Sequence, residues 1–206
     1  MSLTVLDHPL SRHLIQVLRR VDTPPVEFRT VSRTLSTLLI YEATRELRLR
    51  HETIQTPLES TDADVLAQGL AVVPVLRAGL AMLESALGLF PDVAVGYVGL
   101  ERDHTTAVAH SYYCKLPTLA GRMTLCCDPM LATGGSASQA LTVLKANGAE
   151  DLRMVCVVAA PEGVAQIERD HPDVPIFAAA LDRQLDSRKY ILPGLGDFGD
   201  RLYGTM

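Results

Sequence analysis

Between Leu70 and Leu181 the chain alternates short, wholly apolar runs with amphipathic stretches. No other feature limits the possible folds as much. "LAVVPVL", "DVAVGYVGL", "RMTLCC", "DLRMVCVVAA" and "VPIFAAAL" are separated by "GLAMLESALGL", "SASQALTVLKANGA" and "EGVAQIERDHP". Runs that are apolar throughout, rather than at every second residue, read as strands buried on both faces. Strands interleaved with helical stretches build βαβ units, so the expected class is α/β with a central, mostly parallel sheet flanked by helices. Sheets of this kind bind ligands at the carboxyl ends of their strands, where loops lead into helices. Attention therefore falls on the turn at Arg77, on residues 101–112 and on the stretch that follows Cys127.

The amino-terminal quarter has a different texture and reads as helical. Leu10, Leu14, Val17 and Leu18 share one helical face, as do Phe28, Val31, Leu35, Leu38 and Leu39. With 206 residues the chain fits a single domain, residues 1–206, with a helical segment at about 8–50, a core at about 65–180 and a carboxyl-terminal element at about 181–206. Hydrophobic residues at 48% and charged residues at 21% describe a soluble globular protein. The net charge of -5 disfavours a free nucleic-acid binder. "GLAVVPVLRAGLAML" is broken by Arg77 and too short to span a bilayer, so no membrane partner is expected. "MSLTVLDHPLSRH" lacks a signal-peptide core. Cys114, Cys126, Cys127 and Cys156 show no zinc spacing and read as reduced thiols of a cytoplasmic protein.

"DPMLATGGSASQAL" (Asp128–Leu141) joins a strand to a helix that stops at Asn147-Gly148. Thr133, Gly134, Gly135 and Ser136 then sit at a helix amino terminus, where unpaired N–H groups and the helix dipole favour an anion. Asp128 stands at the strand end with Pro129 favouring an extended backbone there. A carboxylate a few residues before an anion nest suits a ligand with hydroxyls at one end and phosphate at the other, as in a ribose 5-phosphate. No Gly-Lys-[ST] occurs, so this is not a Walker A loop. In "VPVLRAGLAM" an arginine at a strand's carboxyl end can set its fork against a diphosphate. In "YILPGLGDFGDRLYGT", Gly194, Gly196, Gly199 and Gly204 argue against any stable helix or strand and expose backbone donors and acceptors.

These stretches together resemble the uracil phosphoribosyltransferases, within the type I phosphoribosyltransferase superfamily. "DPMLATGGS" is similar to the family's phosphoribosyl pyrophosphate loop, "VPVLRAGLAM" to its pyrophosphate loop and "PGLGD…GDR" to its uracil-binding hood. "HPL", "YEATREL", "YYCKLP" and "AAPEGV" extend the likeness along nearly the whole chain. Pro129 stands where the superfamily usually has a second acid, and Ala132 where purine enzymes often have Asp.

The resemblance implies transfer of a phosphoribosyl group from phosphoribosyl pyrophosphate to N1 of uracil, giving uridine 5′-phosphate and pyrophosphate in pyrimidine salvage. It assigns Arg77 and Arg102 to the pyrophosphate, Asp128 to ribose hydroxyls and Ala132 through Ser136 to the 5′-phosphate. Pro129, Met130 and Leu131 complete that binding loop. Ile191, Gly196, Asp197 and Phe198 hold uracil, and Asp197 is also the carboxylate nearest the reacting base. Mg²⁺ is implied as cofactor, held through substrate oxygens and water rather than by a protein cage. A homodimer or higher homo-oligomer and a GTP effector are also implied.

Glu101, His104 and Phe198 depart from residues common in the family (Tyr, Pro and Ala), the first two within a candidate lid at 101–112. Two rivals remain. An orotate-using relative needs a cation near the base, and the hood offers only Arg201. An RNA-binding regulator of the same fold needs a basic, aromatic-interleaved stripe that the sequence lacks.

Overall fold

The computed structural model describes the backbone of residues 3–102 and 109–205, and the side chains of these residues apart from 101, 102 and 109–111. Strand β1 (Leu3–Val5) leads into helices α1 (Pro9–Arg19) and α2 (Pro25–Ala43). Strands β2 (Leu49–Gln55) and β3 (Ser60–Leu66) follow, then β4 (Gly69–Leu76) and α3 (Leu80–Leu89). Next come β5 (Ala94–Val95), β6 (Tyr97–Arg102), β7 (Ala109–Lys115), β8 (Arg122–Cys127) and β9 (Met130–Leu131). Helix α4 (Gly135–Ala146), β10 (Asp151–Ala159), α5 (Pro161–Asp170) and β11 (Ile176–Leu181) complete the core. The carboxyl-terminal segment holds β12 (Gln184–Leu185), β13 (Ile191–Leu192) and α6 (Phe198–Tyr203).

The main sheet runs β1-β11-β10-β8-β4-β6-β7, parallel throughout except for the antiparallel β6–β7 pair. This is the expected mostly parallel sheet with helices on both faces. Along each central strand, alternate side chains join opposite cores. Leu70 and Val72 of β4, Leu125 and Cys127 of β8, and Val155 and Val157 of β10 meet α1, α2 and α3. Val73 and Val75, Cys126, and Met154 and Cys156 meet α4 and α5 on the other face. The period of two is invisible in the sequence because both faces are dry. Arg153 is the one buried cation of β10, and it donates to the Ala43 carbonyl at 2.8 Å and to Glu46 at 3.0 Å. It ties the end of α2 to the sheet.

Three expectations need correction. The helical segment ends at Ala43, and residues 49–66 form an antiparallel hairpin that pairs only with itself. Along α1, Ser11, Ile15 and Leu18 are buried and Leu14 and Val17 pack half-buried against the core, whereas Leu10, expected on that face, is exposed. The carboxyl-terminal glycines do not exclude regular structure. Asp197 caps α6 by accepting from the Asp200 N–H at 2.9 Å, and Gly204 ends it at φ 71°. Two capped ends suffice for one short turn of helix.

No helix among the described residues is long and apolar enough to cross a membrane. Cys126, Cys127 and Cys156 are buried, and Cys114 is exposed. Burial first, and the Asp128 carboxylate second, push the Cys127 thiol up from 9.0 to about 12. Burial likewise raises Cys126 and Cys156. A thiol whose pKa is raised by folding stabilises the fold fully below its unfolded value and loses that contribution as pH rises through the folded one. Unfolding free energy should therefore fall as pH climbs from 9.0 toward 12, and fall less in Cys127→Ala. Near neutral pH, a thiol reagent should titrate Cys114 alone until denaturant is added.

Candidate active site

Three segments meet at the carboxyl ends of β4 and β8. The first is the turn after β4. Leu76–Arg77 is a cis peptide, Arg77 is exposed, and its carbonyl accepts a hydrogen bond from the Tyr203 hydroxyl at 3.4 Å. Gly79 lets this turn sit directly on the sheet, since a Cβ there would lie 2.4 Å from the Cys127 carbonyl oxygen. The turn therefore presents Arg77 beside the end of β8.

The second segment runs from Asp128 to Ser136. Asp128 follows β8 directly, is half-buried, and accepts from the Met130 N–H at 3.3 Å. The Pro129 carbonyl accepts from Val157 and Val158, and β9 pairs with β10, so Pro129, Met130 and Leu131 are fixed as an extension of the sheet. Ala132 and Thr133 then turn into α4. Gly134 is its N-cap at φ 81°, a left-handed conformation that favours glycine. Gly134 has no side chain to cap α4, and the Thr133 hydroxyl accepts from the Gly135 N–H at 3.5 Å. Helix α5 closes on this loop from behind. A Cβ on Gly163 would lie 2.6 Å from the Ala132 carbonyl oxygen and 2.7 Å from that of Leu131.

The third segment is the carboxyl-terminal one. A cavity of about 220 Å³ opens between it and the other two, lined by Ala78, Met130, Ala132, Lys189, Tyr190, Ile191, Gly196, Asp197, Phe198 and Gly199. All four residues expected at the base, Ile191, Gly196, Asp197 and Phe198, line this cavity together with Met130 and Ala132 from the loop before α4. One Asp197 oxygen also serves as the α6 cap. Phe198 is only 1% exposed and packs edge-on against Phe28 with ring centroids 5.1 Å apart. The larger residue at this position thus fills the core rather than the cavity.

A larger groove of about 490 Å³ lies between β1, α1 and α2 and is lined by Leu6, His8, Ser11 and Tyr41 among others. It touches the loop after β1 but neither the turn after β4 nor the loop after β8, so the smaller cavity is the one beside Arg77 and Asp128. Arg102 closes β6, and its side chain is outside those described. Residues 103–108 of the candidate lid, His104 included, also lie outside the described residues, as does the side chain of Glu101.

Sequence reasoning overlooked Lys189 and misjudged Arg201. Lys189 lines the cavity at φ 71° in a turn built on Asp186, whose carboxylate accepts from the N–H groups of Arg188 and Tyr190. Glu162 is held below the usual carboxylate range chiefly by the Leu185 N–H, with the Lys189 charge adding a smaller effect. The only sequence signal for Lys189 was its place just before Tyr190. Arg201 faces away from the cavity. It donates to the carbonyls of Leu18, Leu195 and Arg20, and its guanidinium carbon lies 4.5 Å from the centroid of the Phe28 ring. Lys189, not Arg201, is thus the cation lining the cavity.

Comparison with known proteins follows the same outline. A sequence model of the uracil phosphoribosyltransferase family matches residues 5–205. The uracil phosphoribosyltransferase of Agrobacterium fabrum is 48% identical over 206 residues, 99% of each chain, and that of Agathobacter rectalis is 48% identical over the same span. A protein of solved structure from Aquifex aeolicus is 38% identical and superposes with a TM-score of 0.91, covering 98% of this chain and 97% of its own. A hypoxanthine-guanine phosphoribosyltransferase of Bacillus anthracis shares the fold alone, at a TM-score of 0.52 and 10% identity over 75% of this chain and 79% of its own.

The contact between α5 and the loop can be tested directly. Gly163→Ala should destabilise the protein by about 1–3 kcal/mol in urea unfolding, because neither carbonyl can yield without moving the loop. Gly88→Ala, where a Cβ meets nothing within 4 Å, should be neutral or slightly stabilising.

Proposed function

The chain belongs to the uracil phosphoribosyltransferase family, and from that premise we propose that it transfers the 5-phosphoribosyl group of phosphoribosyl pyrophosphate to N1 of uracil. The products are uridine 5′-phosphate and pyrophosphate, as salvage of a free pyrimidine requires. One observation carries the proposal: the cavity is walled by the phosphate loop on one side and by residues 189–199 on the other. Base and ribose phosphate would meet across Ala132 and Met130. The volume lies below the roughly 300–1,000 Å³ of pockets for drug-sized ligands, which suits a single heterocycle.

The 5′-phosphate sits against the start of α4, where backbone N–H groups of 133–136 and the helix dipole meet its charge. Asp128 takes the ribose hydroxyls as a hydrogen-bond acceptor. As the bond from C1 to pyrophosphate breaks, negative charge gathers on the leaving group and positive charge on the ribose ring. Arg77 and Arg102 stabilise the first by fixed positive charge, which is the largest kind of catalytic contribution available to such a site. Uracil presents acceptor, donor and acceptor along O2, N3–H and O4. Backbone groups of the glycine-rich loop read that edge, and cytosine sets a donor against a donor there. Asp197 has one oxygen engaged by α6, so its other oxygen meets the base or a water beside N1.

Among the described residues no three His, Cys, Asp or Glu come together as a metal cage. Asp128 and Asp197 are hard oxygen donors on either side of the reacting centre, a set that fits Mg²⁺ bound mostly through substrate oxygens. When bound, the ion neutralises charge on the leaving pyrophosphate.

We infer further that the chain self-associates. A lone two-stranded hairpin is marginal in water. The β2–β3 hairpin nevertheless leaves Leu49, Ile54, Leu58 and Leu66 exposed. A second copy of the chain is the natural cover. Light scattering should return a mass above the 22.4 kDa of one chain, with Leu58→Asp plus Leu66→Asp shifting it toward that value. A monomeric parent protein removes this part of the proposal.

The activity itself is tested by incubating the protein with phosphoribosyl pyrophosphate, Mg²⁺ and one base at a time. Pyrophosphate release is expected with uracil and not with cytosine, orotate or hypoxanthine. Release with orotate alone would point to Lys189 as a carboxylate receptor and overturn the reading. Asp128→Asn should lower turnover by about 10²–10³ with an unchanged melting temperature, and near-normal turnover would take Asp128 out of the site.

A further inference from the structure

The base-reading loop buries Leu195 and Phe198 in the core on either side of Gly196 and Asp197. Gly194 carries φ 60°, and a Cβ there would lie 2.1 Å from the Ile191 carbonyl oxygen, so the chain can turn at this point only as glycine. Both polar groups of Gly194 are nevertheless held. Its N–H donates to the Asp182 carboxylate at 2.8 Å, and its carbonyl accepts from Arg19 at 2.8 Å. Arg19 also donates through both terminal guanidinium nitrogens to Asp182, whose side chain is 3% exposed. The pair thus closes a ring through α1, the end of β11 and the hood. One residue further on, the Leu195 carbonyl accepts from Arg201 at 2.7 Å, and Arg201 reaches back to the carbonyls of Leu18 and Arg20. The last turn of α1 therefore both grips the hood through Arg19 and is gripped by it through Arg201.

None of Arg19, Asp182 or Gly194 lines the base cavity. Gly196 and Asp197 do, two and three residues beyond the held peptide. We propose that Arg19 and Asp182 are positioning residues for base recognition: they fix both sides of Gly194 and so set the angle at which the backbone at 196–197 meets the pyrimidine edge. The proposal rests on the uracil-transferring activity set out above. A buried pair of this kind is poor evidence of stability for its own sake, since apolar replacements of similar volume are often tolerated. Orientation of a backbone that reads by hydrogen bonds is a purpose that apolar side chains cannot serve.

The test separates position from stability. Asp182→Asn keeps shape and loses charge. Arg19→Met with Asp182→Leu removes the pair together. Arg19→Lys keeps the charge and loses the fork. In each variant that melts within a few degrees of the parent, the KM for uracil should rise about tenfold or more. The KM for phosphoribosyl pyrophosphate should stay within about twofold, and the preference for uracil over cytosine should fall. Arg19→Lys should be the mildest. Amide hydrogen exchange between Gly194 and Gly199 should quicken in the variants without any substrate present. An inactive parent protein counts against the uracil reading alone. With an active parent, unchanged exchange and unchanged KM for uracil overturn the inference, as does an equal rise in both KM values. If the first two variants fail to fold, Arg19→Lys decides by the same measures.

Discussion

Burial of β4, β8 and β10 on both faces is the constraint from which the rest of the molecule follows. Residues 70–75, 123–127 and 152–159 are buried without a break. Along that length there is no wet surface on which polar chemistry can stand. Arg153 shows what an exception requires, since it needs a helix carbonyl and a carboxylate to be held there. The groups that can meet a charged or hydrogen-bonding ligand are therefore driven to the strand ends. Arg77, Asp128 and the start of α4 all stand within a few residues of where β4 and β8 stop.

Bringing those ends close together falls to glycine rather than to side-chain complementarity. Gly79 lies over the end of β8, and Gly163 lets α5 press against Leu131 and Ala132. The loop before α4 is thus backed by a helix on one side and by sheet pairing through β9 on the other. A nest of N–H groups needs that rigidity, because amides that can turn away gain little from facing an anion.

How far the sequence foretold this depended on whether burial left a pattern. The central strands were legible because double burial writes an unbroken apolar run. The β2–β3 hairpin was not, because its two faces are both largely exposed and mix polar with apolar residues. With no dry face there is no period to read. On α1 only Leu10 departs from the expected face: it fits the helical repeat but is exposed. The site divided along similar lines. Asp128 and 132–136 were recognisable from local chemistry, since a helix start and its preceding turn lie together in the chain. The partners of Arg201 were not, because they depend on contacts between residues 18–20 and 195–201 that no local signal encodes.

The different exposure of the two arginines at the ends of the site has one more consequence. Arg77 is exposed, and mobile ions can crowd around it, so in the proposed reaction its pull on a diphosphate weakens as salt is added. Arg19 and Asp182 have side chains only 16% and 3% exposed, and such a pair is screened much less. On that proposed reading, salt acts as a dial on one substrate more than on the other: it loosens the grip on the phosphate donor while the choice of base changes little.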